Sequence, residues 1–71
     1  MKYRVQTTCN GHDYGHTYHS ARVALTVYNN IRNLYRRFGY TIADAGNGRN
    51  CRAELWTQEG RADRNIEIYA I

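Results

Sequence analysis

No stretch of this chain stays apolar for the roughly 20 residues a bilayer-spanning helix needs, so the sequence contains no membrane span. There is no proline, no linker, no internal repeat and no low-complexity segment, which argues for one continuous domain over residues 1–71. The N-terminus, Met1-Lys2-Tyr3-Arg4-Val5, runs straight into a strand pattern and lacks the apolar segment of a signal peptide. The expectation is therefore a cytoplasmic protein. Equally absent are a glycine-rich phosphate loop, a nucleophile elbow, and carboxylates paired at the spacing of a known enzyme class. Cys9 or Cys51 beside a histidine, or Asp13 beside His12 or His16, would make a nucleophile or base pair. Any small domain with these residues offers such pairings by chance. The sequence reads as non-enzymatic, with no cofactor.

What is present is ordinary in bulk and unusual in detail. Of the 71 residues 42% are hydrophobic and 23% charged, as in globular domains. A chain this short buries only about 60% of its unfolded surface, so its core is thin. The net charge is +4, carried by ten basic residues of which only Lys2 is lysine. Arginine offers a planar fork for carboxylates, phosphates and aromatic faces, which tilts the surface toward acidic partners. Cys9 and Cys51 are expected to be partly buried thiols rather than a disulfide.

Periodicity supplies the architecture. Tyr3, Val5, Thr7 and Cys9 alternate with Lys2, Arg4, Gln6 and Thr8, which predicts a half-buried strand over residues 2–9. Asn10-Gly11 signals a turn, and residues 14–18 read as a short return strand. Ser20 is a good N-cap. After it, Ala24, Val27, Tyr28, Ile31, Leu34, Tyr35 and Phe38 fall on one side of a helix, and Gly39 ends it. The spacing predicts a helix over about 20–38. Three strands follow, at 40–45, 50–57 and 64–69, with a type I′ turn at Asn47-Gly48 and a second turn around Glu59-Gly60-Arg61. The last hairpin has two registers. One sets Leu55 against Ile66 but also Glu54 against Glu67, and a two-residue slip keeps the faces while relieving that repulsion. The fold class is α+β: one long helix on an antiparallel sheet of four to five strands, in the order β(β)αβββ, as two layers. A single helix covers one sheet face. The other must meet water or a partner.

That uncovered face is expected to carry Lys2, Arg4, Gln6, Thr8, Arg52, Glu54, Trp56, Glu67 and Tyr69. Trp56, the single tryptophan, is out of phase with Cys51, Ala53, Leu55 and Thr57 and stands among charges. Arg4, Arg52, Trp56, Tyr69 and Lys2 are the candidate partner-binding residues, because Trp, Tyr and Arg anchor protein interfaces. The same set would let bases stack on the rings while arginines hold phosphates, so DNA or RNA is the alternative partner. Other ways of covering Trp56 are the loop of residues 10–19 and a second copy of the chain in a homodimer. The helix adds a second basic face: Arg22, Arg32, Arg36 and Arg37. Finally, Cys9, His12, His16 and His19 form the pattern C-x2-H-x3-H-x2-H, a tight spacing of zinc-ligand types that matches no common template. A polar loop that happens to hold histidines explains it equally, and three histidines would make that loop pH-sensitive.

In size and layout the chain resembles small proteins of phages and mobile elements, anti-CRISPR proteins among them: single α+β domains rich in Tyr and Arg without a catalytic signature. The resemblance spans the whole chain but matches no motif. It implies an inhibitor that occludes a surface of a host protein or nucleoprotein complex. The net positive charge sets this chain apart from the acidic DNA mimics of that group.

Overall fold

The computed structural model describes residues 2–47 and 50–71. Five strands and one helix follow in the order β1 (Tyr3–Cys9), β2 (His12–Tyr18), α1 (Ala21–Arg37), β3 (Thr41–Asn47), β4 (Asn50–Trp56) and β5 (Ala62–Ala70). The strands form one sheet in the order β2-β1-β5-β4-β3, antiparallel at every junction. The expected two-layer α+β arrangement is what the chain adopts.

Local chemistry explains each element. Asn10 and Gly11 have φ of 53° and 80°, the positive values both central residues of a type I′ turn require. The tight turn lets β2 begin at His12, so the return strand spans seven residues rather than the five read from the sequence. Ser20 caps α1 by accepting a hydrogen bond from the Val23 amide. Beyond Phe38, Gly39 takes φ of 93° and releases the chain toward β3. The type I′ turn expected at Asn47-Gly48 falls in part on residues outside those described.

The position of β1 was not legible in the sequence. It lies between β2 and β5, so the first and last strands are neighbours, and the Ile71 amide extends that ladder to the Lys2 carbonyl. Helix α1 packs mainly on β1 and β5 and also touches both edge strands, β2 and β3. The β4–β5 hairpin takes the slipped register: Arg52 faces Glu67, Glu54 faces Asn65, and Ala53 faces Ile66. Opposite charges and an amide thus replace the Glu54–Glu67 repulsion. A register shift at Leu55/Trp56, together with the Thr57–Gly60 turn, closes this hairpin.

Tyr3 and Val5 of β1, Ala24 and Tyr28 of α1, Ala53 and Leu55 of β4, and Ile66 and Ile68 of β5 form the buried core. Two helix residues depart from expectation. Leu34 and Phe38, read as part of the inward stripe, are 47% and 68% exposed. Leu34 falls on the flank of the stripe, and Phe38, past the last turn of α1, sets its ring edge-on against Tyr35 rather than into the core.

Candidate functional site

The face turned away from α1 is built by alternate residues of all five strands. The pairings place Thr17, Arg4 and Tyr69 in one row, and Gly15, Gln6, Glu67 and Arg52 in the next. Asp13, Thr8, Asn65, Glu54 and Ala43 form a third row. Trp56 stands at the end of β4 opposite Thr41 and Ala62. The structure thus brings Arg4, Arg52, Trp56 and Tyr69 onto one surface, with Lys2 just before β1. Trp56 and Arg4 stand toward opposite ends of it, three rows and two strands apart.

Trp56 is 37% exposed. The loop of residues 10–19, one of the alternative covers, does not fold over it. Residues 10–19 form the turn and strand at the far edge of the sheet, beyond β1. No element of the described chain crosses this face.

Arg4 is held in place. Its Nε donates to Gln6 Oε1 at 3.0 Å, and the Tyr69 hydroxyl donates to the same oxygen at 3.2 Å. The guanidinium lies over Gly15. A methyl group there would come within 2.8 Å of Arg4 Nη2 and 2.9 Å of the Val5 carbonyl oxygen. Gln6 as the hub and Gly15 as the notch were missed by sequence reasoning. Their only signal is position: glycine in a strand interior often marks close approach by another group. On the same face Thr8 Oγ1 donates to Asp13 Oδ1 at 2.8 Å.

The charges of this surface balance. Lys2, Arg4 and Arg52 are interleaved with Asp13, Glu54 and Glu67. The positive excess lies instead on α1, which contains no acidic residue. Arg22, Arg36 and Arg37 are exposed there. Arg32 departs from the expected basic face. It binds Asp44 of β3 at 2.6 Å and stacks over the Tyr28 ring at 5.8 Å, so its charge is neutralised against the sheet.

Arg64, absent from the expected sites, sits on the helix-covered face. Its Nη1 donates to the Tyr35 hydroxyl at 3.4 Å, and its guanidinium lies 5.5 Å from both the Tyr35 and Tyr40 rings. That hydrogen bond to Tyr35 raises the Arg64 pKa further above its ordinary value. The cation joins the end of α1 to β5, a structural use of arginine on aromatic faces.

The histidine-rich pattern is not gathered into a metal centre. Cys9 and His12 are direct cross-strand partners, but His16 is four residues further along β2, about 13 Å away. His19 lies beyond the strand. Among the described residues no group of three His, Cys, Asp or Glu is placed to hold a metal. Asp13 points to the opposite face from His12 and His16, so it orients neither. Cys9 and Cys51 are both half-buried, and no disulfide joins them. They are separated by β5 and by four positions along the ladder, beyond the ~7 Å reach of a disulfide.

The fold and this surface define a class: a small two-layer α+β domain with one sheet face left open. No helix among the described residues is long and apolar enough to cross a membrane. No protein-family model, curated protein or solved structure matches the chain.

Proposed function

We propose that this protein is a non-enzymatic binding module whose open sheet face docks on a partner protein or nucleoprotein complex. Trp56 is the anchor at one end, and Arg52, Arg4, Tyr69 and Lys2 gather toward the other. The observation that carries this reading is Trp56 itself, a large aromatic on a face that no described segment covers. The Gln6 bridge and the Gly15 notch hold Arg4 and Tyr69 in fixed positions, which lowers the ordering cost of binding. The balanced charges favour a protein surface over a run of phosphates, since Glu54, Glu67 and Asp13 would repel the latter. Like the phage inhibitors it resembles, the chain would act in the host cytoplasm by occluding the surface it covers.

A second reading rests on a different element. The acid-free helix, with Arg22, Arg36 and Arg37 exposed, suits the phosphates of DNA or RNA.

The test separates them. The immobilised chain is offered bacterial host lysate, and generic DNA and RNA are titrated separately across a salt series. Docking through the sheet predicts that Trp56→Ala loses capture by about 30-fold or more, the ~2 kcal/mol of an interface anchor. Arg36→Ala with Arg37→Ala should leave capture intact. Unchanged capture by Trp56→Ala removes this residue from the site. Salt-sensitive nucleic-acid binding lost with the helix arginines would transfer the function to α1.

A further inference from the structure

Both edge strands of the sheet, β2 and β3, lack lysine, arginine and proline. They differ in what stands beside them. On β3, Asp44 points to the helix-covered side and is held there by Arg32. An inward-pointing charge on an edge strand discourages pairing with another chain. β2 has no such device, and it pairs with β1 at all seven positions without a register shift. Its type I′ turn makes Cys9 and His12 a hydrogen-bonded pair. By the alternation of an antiparallel ladder, Asp13, Gly15 and Thr17 then turn their N–H and C=O groups outward, to the open edge.

Cations also reach the two edges differently. Beside β3, Arg52 has the carboxylate-bearing Glu67 facing it from β5. Beside β2, Arg4 faces Thr17 and Tyr69, neither of which carries a carboxylate. The Arg4 guanidinium leans across bare Gly15, with Nη2 2.8 Å from the point where a side chain would begin. Its Nε is used by Gln6, and among the described residues no carboxylate pairs with it. A glycine in the middle of the edge strand thus lets an unneutralised cation lie one strand spacing, about 4.8 Å, from the place of an added strand.

The other side of β2 presents aromatic surface. Tyr14 is 64% exposed there, and His16 is exposed beside it.

We infer that β2 receives an extended acidic segment of a partner protein as a sixth strand, with an Asp or Glu opposite Gly15. Main-chain hydrogen bonds to the outward groups of Asp13, Gly15 and Thr17 hold the segment. On the open side its carboxylate accepts from the Arg4 Nη groups. On the helix-covered side the residues flanking that carboxylate lie against Tyr14 and His16, so apolar side chains suit those positions. A second copy is the wrong occupant, because β2 against β2 brings two Arg4 cations together across Gly15. The inference shares Arg4 with docking through the open face and makes no use of Trp56.

The probe is a capped, fluorescein-labelled nine-residue peptide of alternating Thr and Val with Glu at its centre, titrated with the full chain and followed by anisotropy. It should bind with a dissociation constant below about 1 mM. Replacing its Glu by Gln should weaken binding about tenfold. Arg4→Gln in the protein should weaken the Glu peptide by a similar factor and leave the Gln peptide unchanged, the signature of a direct pair. Methylating the amide nitrogen of the central Glu should also cost about tenfold, because that N–H is the one offered to the Gly15 carbonyl. Circular dichroism checks that the variants fold. Trp56→Ala should bind the peptide like the parent, so the edge and the open face succeed or fail separately. No binding at 1 mM overturns the inference. So do Glu and Gln peptides that bind the parent alike, an N-methylated peptide that binds like the unmodified one, or a chain that dimerises and thereby excludes the peptide.

Discussion

The two faces of the sheet are made by the same strands, residue by alternate residue, yet they obey different rules. On the helix side Leu55, Ile66 and Ala53 are fully buried. On the open side their chain neighbours Glu54 and Asn65 are half-buried and Trp56 is exposed. The covered face is organised by apolar burial, which tolerates little change of volume. The open face is organised by hydrogen bonds at fixed lateral spacing, with Gln6 accepting from both Arg4 and Tyr69. One face stores stability, and the other spends surface on display.

Substitutions can break that contrast or sharpen it. The largest effect belongs to Leu55→Ala, which opens a cavity at the centre of the covered face. It should cost about 2–5 kcal/mol, enough to unfold much of so small a domain. Its neighbour Glu54→Ala should stay within about 0.5 kcal/mol. Urea melts of the pair measure the contrast directly, and equal costs would erase it. Next comes Gly15→Ala, a tight position on the open face. The added methyl must displace Arg4 and press on the Val5 carbonyl, at a cost of about 1–3 kcal/mol. A loss below a few tenths in the same melts would show that the notch is not needed.

A third prediction concerns pH. Burial of Tyr28 raises its pKa above the ordinary 10.0, outweighing the opposing effect of Arg32. Its neutral form is favoured in the folded state, so this contribution is complete below pH 10 and is lost as pH rises through the folded value. Stability should therefore fall above pH 10 in the parent and fall less in Tyr28→Phe, as followed by urea midpoints at rising pH. Parallel curves would exclude Tyr28 as the source. The smallest effect is that of Asp44→Ala. Its ion pair with Arg32 is solvent-accessible, so the loss should be under about 1 kcal/mol and shrink in high salt.

Much of the fold was legible residue by residue. The stripe Ala24-Val27-Tyr28-Ile31-Tyr35 and the Ser20 cap marked the helix, and period-two alternation assigned each strand its two faces. What failed to show were features that depend on a neighbouring strand. Leu34 belonged to the apolar stripe by spacing, but the packing of α1 on the sheet leaves it about half exposed. Arg32 looked like one of four helix cations until β3 brought Asp44 to it. Arg4, Gln6 and Tyr69 are distant or unremarkable in sequence, and β1 pairing with β5 made them one cluster.

The sequence by itself determined which residues face together along each element, because helix and strand periods are properties of the local backbone. It therefore determined that Trp56 stands on the face away from the helix. Only the tertiary structure decided strand order, hairpin register and which edge lies open. Those choices depend on pairings between segments as far apart as Tyr3 and Ala70, which no local pattern encodes.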